Sequence, residues 1–208
     1  MTTEKYDPQA ERWSDTAYAD PSGYLAHRAE LIVSLGPPLA PGDTVLDLAC
    51  GDAGLAEPLL ARGLRYVGVD LSGPMVEAAL RRLGDRAEIA LADLNDYRPP
   101  APVACTTCFR AVYYARDRRA FFKHLAGYTE SKLVFDLNPR QYGVEDVVAD
   151  LHAAGLERVA MHPFLFPQRH SVPRMLAAGL RTAERFGPLA RAVLRVRFSY
   201  VVSASREE

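Results

Sequence analysis

Val-Leu-Asp-Leu-Ala-Cys-Gly-Asp-Ala-Gly, residues 45–54, is the stretch that decides the fold of this chain. An apolar run that carries one acid, Asp47, passes directly into a series of small residues. This order is typical of a buried β-strand entering a tight loop, because small side chains let another molecule approach the backbone. A helical pattern follows at residues 55–62 and ends at Gly63. The stretch therefore predicts the first strand, loop and helix of a parallel α/β sheet.

A second apolar run, Arg65–Asp70, follows this helix and ends on a carboxylate. In a strand–helix–strand unit, an acid at the end of the second strand can bind the two hydroxyls of a ribose. An alternative role for Asp70 is to cap the next helix, although Ser72 is better placed for that. The two runs together predict a site for a nucleoside-containing cofactor.

Strand and helix patterns alternate along the rest of the chain. Strands are predicted at residues 44–48, 65–70, 88–91, 103–109, 132–137, 156–166 and 193–204. Helices are predicted at 23–35, 55–62, 74–83, 117–127, 145–154 and 173–192. This alternation indicates an α/β fold with a doubly wound, mostly parallel sheet and helices on both faces. Ligands of such sheets bind at the carboxyl ends of the strands.

Composition favours one globular domain. The chain has 208 residues, of which 49% are hydrophobic and 25% charged, and its formal net charge is −1. This balance does not indicate nucleic acid or a membrane as a partner of the whole chain. The charge is uneven, because the residues from Leu156 onward include nine arginines against four glutamates. No apolar run approaches the roughly 20 residues that cross a bilayer, and Met1–Asp7 lacks the features of a signal peptide, so a soluble cytoplasmic protein is expected.

The three cysteines are too few for a disulfide framework and fit a reducing compartment. Cys105 and Cys108 form a Cys-x-x-Cys pair, a spacing that also occurs in metal and redox sites. They lie in the β-branched run Val103–Phe109, where residues three apart point to opposite faces of a sheet. We therefore predict that the pair is structural, and no metal site is expected.

Three stretches of the chain look like known motifs in their order and spacing. Residues 45–54, 67–70 and 92–94 resemble the first three motifs of the class I S-adenosylmethionine-dependent methyltransferases, and the resemblance extends over roughly residues 40–140. It implies a seven-stranded sheet whose last strand is antiparallel. It also implies S-adenosylmethionine as the cofactor and S-adenosylhomocysteine as its product.

The resemblance assigns roles to single residues. The loop after the first strand would contact the methionine part of the cofactor, with Asp47 orienting both that loop and the cofactor's amino group. Asp70 would bind the ribose, while Asp93 and Leu94 would hold the adenine. An ordinary turn role is the alternative for Asp93, and Cys50 is interpreted as a small filler rather than a nucleophile. The expected cofactor contacts are Asp47, Ala49, Cys50, Gly51, Asp70, Leu71, Ala92, Asp93, Leu94 and Arg110.

The loop departs from the family pattern at two glycines. Where the family often has Asp-x-Gly-x-Gly-x-Gly, this chain has Asp47, Ala49, Gly51 and Ala53. Alanine is the next smallest residue, so close approach of a ligand is retained at modest cost. A nicotinamide-dependent oxidoreductase would use a similar strand and loop but needs Gly-x-Gly-x-x-Gly, which Ala49, Gly51 and Gly54 match only in part.

No catalytic triad, phosphate-binding loop or metalloprotease motif occurs in the sequence. Methyl transfer from a sulfonium needs none, because the leaving group is already activated and the protein has mainly to align the reactants and exclude water. Tyr113 and Tyr114 follow the fourth strand and are the catalytic candidates, to orient or deprotonate an acceptor. Packing against the core is their alternative role.

Candidates for binding the acceptor lie outside the three motifs. They are Tyr18, Tyr24, Asn138, Arg140, Arg169, His170 and Arg174. Residues 1–43 are predicted to be a helical lead-in to a domain at 44–208, either as a lid over the cofactor or as a segment that only docks on the sheet. Within that domain, about residues 167–192 form a predicted helical insertion.

Three arginines of this insertion, Arg174, Arg181 and Arg185, are spaced to share one face of a helix. Such a face can receive an anionic or lipid-like acceptor or contact an anionic membrane surface. A solvated charged face is the alternative.

The sequence thus predicts an S-adenosylmethionine-dependent methyltransferase that acts by direct in-line transfer on a small organic molecule, such as a secondary metabolite or a lipid-like compound. A nucleic acid substrate is disfavoured, because no nucleic-acid module is present and the amino-terminal half is acidic. A nicotinamide-dependent oxidoreductase and a non-catalytic cofactor-binding or regulatory protein of the same fold are the alternatives. The acceptor, the methylated atom and the oligomeric state are left open.

Overall fold

One mixed β-sheet organises the chain. The computed structural model describes residues 7–170, 172–185, 188 and 199–207. Within these residues the strands are β1 (Thr44–Leu48), β2 (Arg65–Asp70), β3 (Glu88–Leu91), β4 (Val103–Cys108), β5 (Thr129–Leu137), β6 (Arg158–Phe164) and β7 (Ser199–Ser205). Their order is β3-β2-β1-β4-β5-β7-β6. Strands β1 to β5 are parallel, and β7 runs antiparallel to both β5 and β6. The predicted sheet, with its antiparallel last strand, is confirmed.

Seven α-helices precede or connect the described strands, and six of them overlap the predicted ranges, whereas the first was not predicted. They are α1 (Trp13–Ala17), α2 (Pro21–Ser34), α3 (Ala56–Leu60), α4 (Gly73–Leu83), α5 (Arg118–Ala126), α6 (Val144–Ala153) and α7 (Arg174–Glu184), with short 3-10 turns at Asp7–Arg12, Gly84–Arg86 and Val112–Tyr114. The side chains of Asp20, Ser72 and Asp117 accept hydrogen bonds from backbone N–H groups in the first turns of α2, α4 and α5. Each cap satisfies a donor that the helix itself leaves unpaired.

Helices cover both faces of the sheet because the central strands are apolar on both sides. Val45 of β1 packs in one core with residues of α2 and α3, among them Ile32. The next residue, Leu46, packs in a second core with residues of α5 and α6, among them Phe122. The two faces of the sheet are thus covered by separate cores.

The sheet separates the Cys-x-x-Cys pair. Cys105 lies in the core of α2 and α3 and Cys108 in the opposite core, both as almost fully buried free thiols. Burial raises the pKa of Cys105 to about 12 and raises the pKa of Cys108 well above its ordinary value. The two thiols therefore stay protonated at neutral pH. Among the described residues, no group of three His, Cys, Asp or Glu side chains is arranged to hold a metal ion.

Several boundaries differ from the predicted ones. β5 begins at Thr129 rather than at Lys132, and β6 ends at Phe164 rather than at residue 166. Lys132 is fully buried and donates hydrogen bonds to the carbonyls of Val33 and Leu35 at the end of α2. A buried lysine resembles a surface residue in the sequence, which is why the pattern placed the strand start there.

The carboxyl-terminal third is described only in part. α7 accounts for the first half of the helix predicted at 173–192, and most of the second half lies outside the described residues. The strand predicted at 193–204 is observed from Ser199, and its residues 193–198 lie outside them as well. No helix in the described ranges is both long and apolar enough to cross a membrane.

Candidate active site

The carboxyl ends of β1, β2 and β4 open into one cleft. Its empty volume, about 1100 Å³, includes space that is open to solvent. All ten predicted cofactor contacts line it, and so do three of the other candidates: Asp47, Ala49, Cys50, Gly51, Asp70, Leu71, Ala92, Asp93, Leu94 and Arg110, with Tyr18, Tyr113 and Tyr114. The topology therefore gathers residues from separate strand ends at the edge where parallel sheets bind ligands.

The loop after β1 carries unusual backbone conformations. Ala49, Gly51 and Ala53 all have left-handed φ angles, of 57°, 59° and 54°. A side chain on Gly51 would lie 3.0 Å from Trp13 Cδ1, and one on Gly54 would collide with the Ser14 hydroxyl. Non-glycine residues in this region are strained, and such strain concentrates at ligand sites. The two alanines thus hold a conformation that glycine adopts more easily.

Asp70 joins the loop to the next helix. Its Oδ2 accepts a hydrogen bond from Gly51 N at 2.8 Å, and its Oδ1 accepts one from Ser72 N at 2.9 Å. Ser72 in turn caps α4 by accepting from Met75 N. Asp70 is therefore not the helix cap, and its carboxylate lies at the cleft wall.

Asp47 is a buried carboxylate at the base of the cleft, 4% exposed. Its two oxygens accept hydrogen bonds from the Tyr66 hydroxyl at 2.7 Å and the Thr107 hydroxyl at 2.6 Å. Burial raises the pKa of Asp47 to about 6, although both hydrogen bonds oppose the rise. Its negative charge would be stabilised by a cation in the cleft.

Asp93 lies at the other end of the cleft, beside Ala92 and Leu94. Its Oδ1 accepts from Asn95 N at 2.9 Å, and its Oδ2 is 2.8 Å from Arg116 Nη2. Burial alone would raise the pKa of Asp93, but these hydrogen bonds and the arginine charge outweigh it and lower the pKa. This carboxylate stays ionised, next to an apolar surface suited to a flat base.

The amino-terminal segment forms one wall of the cleft. Trp13, Ser14, Tyr18 and Leu25 line it. Ser14 also donates to Asp52 through both its backbone N–H and its hydroxyl, at 3.1 and 2.6 Å. Sequence reasoning missed this pair, because nothing local links two polar residues that are 38 positions apart.

Arg28 is a second residue that sequence reasoning did not assign to the cofactor. It is 3% exposed, lines the cleft and donates to the hydroxyls of Tyr24 and Tyr18 at 2.9 and 3.5 Å. Its guanidinium lies 4.1 Å from the Phe109 ring, and its Nε has no hydrogen-bond partner within the described part of the chain. The sequence does carry one sign of this role, because Arg28 lies on the otherwise apolar face of α2 that includes Leu25.

The turn after β4 brings together the remaining candidates. Arg110 has a φ of 56°, its N–H donates to Asp136 Oδ1 at 2.6 Å, and its guanidinium lies 5.3 Å from the Trp13 ring. Tyr113 is 40% exposed, and its ring lies 4.2 Å from that of Tyr114. Both tyrosines line the cleft, and Tyr114 also packs against the second core.

Other acceptor candidates lie away from the cleft lining. Tyr24 is buried behind Tyr18, with the two rings stacked at 4.4 Å. Asn138, Arg140, Arg169 and His170 are exposed and are absent from the described lining. Arg174 begins α7, and its side chain lies outside the described part of the structure.

The arginines predicted to share one face of α7 differ in their surroundings. Arg181 is half-buried and lies 3.9 Å from Glu30 of α2, while Arg185 is exposed. One turn below, buried Glu184 lies 2.7 Å from His27 and accepts a hydrogen bond from Leu165 N. Arg181 therefore lies against the packing face of the helix rather than on an open basic surface.

Known proteins share this sequence pattern and fold. Residues 45–131 match the family model of a methyltransferase domain. An uncharacterized methyltransferase of Geobacillus thermodenitrificans is 32% identical over 77 residues, 36% of this chain, and the chain spans only 36% of that relative's length.

Solved structures match over nearly the whole chain. Magnesium protoporphyrin IX methyltransferase from Synechocystis, with bound S-adenosylmethionine, has a TM-score of 0.63 at 17% identity, covering 99% of this chain and 92% of that one. A TehB-like S-adenosylmethionine-dependent methyltransferase from Corynebacterium glutamicum has a TM-score of 0.66 at 16% identity, covering 99% and 100%. The chain thus has the fold of the class I S-adenosylmethionine-dependent methyltransferases, and its residues 45–131 match the methyltransferase-domain family.

Proposed function

We propose that this protein transfers the methyl group of S-adenosylmethionine to a small organic acceptor. The observation that carries the proposal is the pairing of Asp70 with Gly51, in which an acid at the end of β2 meets the left-handed loop after β1 at 2.8 Å. This pairing sets a ribose-binding carboxylate against a backbone that a ligand can approach closely. Three free cysteines support a reducing compartment, the cytoplasm, for the reaction.

The charges of the cleft fit the amino acid end of that cofactor. Arg28 is a buried cation whose described hydrogen bonds go only to tyrosine hydroxyls, and its Nε lacks a partner among the described residues. A buried guanidinium is unfavourable without an anion, so the carboxylate of the cofactor would stabilise Arg28 by forming an ion pair with it. Asp47 is the matching carboxylate for the cofactor's ammonium. The residues present therefore fit a zwitterionic amino acid.

The other end of the cleft fits a nucleoside. Asp70 binds the ribose hydroxyls, and Ala92 and Leu94 supply an apolar surface for the adenine. Asp93, ionised and held by Arg116, is an acceptor for the exocyclic amine of the base. These residues would hold the cofactor from both ends of the cleft that Arg110 and the two tyrosines also line.

When bound, the cofactor supplies a methyl group already activated by a sulfonium, so the chain's own residues need only align the acceptor and exclude water. Tyr113 and Tyr114 orient the acceptor from the turn after β4. Trp13 and Tyr18 cover the loop after β1, and we propose that residues 1–43 include a lid over the cofactor. A small molecule is the favoured acceptor, because these residues line a cleft rather than a flat surface.

The nicotinamide-dependent oxidoreductase is disfavoured on two grounds. Dinucleotide-binding sheets have the strand order 3-2-1-4-5-6, whereas here β7 is inserted between β5 and β6. In addition, Ala49 occupies the first place at which the dinucleotide motif uses glycine.

Calorimetric titration of the full chain with S-adenosylhomocysteine and with NAD tests the proposal. We expect the chain to bind S-adenosylhomocysteine and not NAD. The variant Asp70→Ala should bind S-adenosylhomocysteine at least tenfold more weakly than wild type. The control, Asp85→Ala, removes an exposed carboxylate from the turn after α4 and keeps the affinity. Tight NAD binding without binding of S-adenosylhomocysteine would overturn the assignment. Methyl transfer from labelled cofactor into a small-molecule pool excludes the non-catalytic alternative.

A further inference from the structure

Arg110 has a conformation that the cofactor does not explain. It is a long side chain on a backbone with a left-handed φ of 56°, a conformation that costs little only for glycine, asparagine or aspartate. Asp136 of β5 holds it there by accepting the Arg110 N–H at 2.6 Å. The fold therefore fixes the direction in which this side chain leaves the turn after β4.

Arg110 lines the cleft, and no ion pair of its guanidinium is formed among the described residues. Its Cζ is 5.3 Å from the Trp13 ring centroid. Its Nη1 is shielded from solvent and has no hydrogen-bond partner among the residues that the structure describes. A desolvated guanidinium N–H without an acceptor is unfavourable, so a hydrogen-bond acceptor at this point would stabilise the site.

Charge balance shows where that acceptor comes from. The cleft holds two guanidinium groups, Arg28 and Arg110, whereas S-adenosylmethionine carries one carboxylate, which the proposed function gives to Arg28. The lining carboxylates are already engaged: Asp47 with two hydroxyls, Asp52 with Ser14 and Arg82, and Asp70 with two backbone N–H groups. Asp136 accepts the backbone N–H of Arg110, whereas the buried Nη1 of its guanidinium has no acceptor among the described residues, so an anion at this point would stabilise the site when the cofactor is bound.

The walls around Arg110 define the rest of the ligand. Trp13, Phe109, Tyr113 and Tyr114 line the same cleft. Aromatic rings bind flat ligands by stacking, and a guanidinium matches a carboxylate in two parallel hydrogen bonds. We propose that the acceptor is a small planar molecule that bears a carboxylate, and that Arg110 binds that carboxylate rather than the cofactor. The inference rests on the proposed function, since it concerns the second substrate of the same site.

Fluorescence of Trp13 provides the test, because the chain has one tryptophan and it lies beside Arg110. The full chain, saturated with S-adenosylhomocysteine, is titrated with benzoate and with benzamide, which have the same shape but differ in charge. We expect benzoate to bind at least tenfold more tightly. Arg110→Gln should abolish the difference, and Arg110→Lys should keep part of it. The control Arg62→Gln removes the same charge from an exposed turn after α3 and should leave it unchanged.

Each outcome separates the inference from the proposed function. Equal affinities for benzoate and benzamide, with S-adenosylhomocysteine bound, overturn the inference and leave the proposed function standing. The inference is also overturned if the Arg110→Gln variant folds but no longer binds S-adenosylhomocysteine, because Arg110 then binds the cofactor. Failure of the wild-type chain to bind S-adenosylhomocysteine rejects the proposed function itself. If Arg110→Gln does not fold, the affinities of the wild-type chain for benzoate and benzamide still test the inference. If the wild-type chain binds phenyl phosphate more tightly than benzoate, the anionic group of the acceptor is a phosphate and the proposed carboxylate is wrong.

Discussion

The Ser14 hydroxyl donates a 2.6 Å hydrogen bond to Asp52 Oδ1, which ties the amino-terminal segment to the loop after β1. Asp52 is 1% exposed, and Arg82 of α4 lies 2.6 Å from its second oxygen. A buried carboxylate with three donors is well stabilised. The contact holds the Trp13 end of the segment over the cleft, and it requires glycine at position 54, where any side chain would collide with the Ser14 hydroxyl.

Removal of this contact should loosen the amino-terminal wall without unfolding the chain. Ser14→Ala deletes one hydrogen bond to a charged group, worth about 1–3 kcal/mol, so local opening should become at least fivefold more frequent. Limited trypsin digestion, followed by mass spectrometry of cleavage after exposed Arg12, measures the opening. Ser22→Ala, at an exposed position of α2, is the control and should cleave at the wild-type rate. An unchanged rate in Ser14→Ala would show that the contact does not hold the segment.

Arg28 should recognise the carboxylate of the cofactor. Wild-type protein is expected to bind S-adenosylmethionine at least tenfold more tightly than its decarboxylated analogue, because only the former offers an anion to the buried guanidinium. Arg28→Gln should bind the two compounds equally, which calorimetry can measure. Arg62→Gln serves again as the charge-matched control. The role of Arg28 is refuted if wild-type protein binds both compounds alike.

Asp47 should give the folding stability a specific pH dependence. Burial raises its pKa from 3.8 to about 6 in the folded protein. The folded state then holds the proton more tightly than the unfolded chain, so the stability that this group contributes is lost as the pH rises from about 4 to 6. The free energy of unfolding of Asp47→Asn minus that of wild type should therefore increase over this range, by up to about 3 kcal/mol.

Urea unfolding at several pH values measures this difference. Glu57→Gln is an informative control, because the hydrogen bond from Arg86 lowers the pKa of Glu57. The stability that ionised Glu57 contributes is lost as the pH falls. The free energy of unfolding of Glu57→Gln minus that of wild type should therefore decrease as the pH rises, opposite to the change for Asp47→Asn. A flat curve for Asp47→Asn would show that this carboxyl titrates normally.

The cysteines should be unreactive in the native protein. Burial raises the pKa values of Cys50, Cys105 and Cys108, and only a thiolate attacks disulfide reagents readily. Native protein at mildly alkaline pH should react with Ellman's reagent many-fold more slowly than protein in urea, where all three thiols are exposed. Rapid modification of the native chain would contradict this, and a Cys50→Ser variant would then show whether the residue at the cleft is responsible.

Local sequence was sufficient for the sheet and for one side of the site. The predicted bounds of β1, β2 and β3 agree with the observed ones, because buried parallel strands are continuous apolar runs closed by turn residues. The loop after β1 and the acid at Asp70 were predictable for the same reason. Strand, loop and carboxylate follow one another along the chain, and the parallel sheet brings their ends to one edge.

Tertiary structure decided the other side of the site. Arg28 looks in the sequence like one charge on a helix, and only packing against Phe109 buries its guanidinium in the cleft. Tyr24 and Asn138 were predicted to contact the acceptor, but they are absent from the described lining, because side-chain direction depends on neighbours distant in sequence. The sequence by itself determined the succession of strands and helices along the chain and the residues that end β1 and β2, since these depend on local periodicity. The amino-terminal wall and the placement of the Arg28 and Arg110 guanidiniums depend on contacts between segments far apart in the chain, which no local pattern encodes.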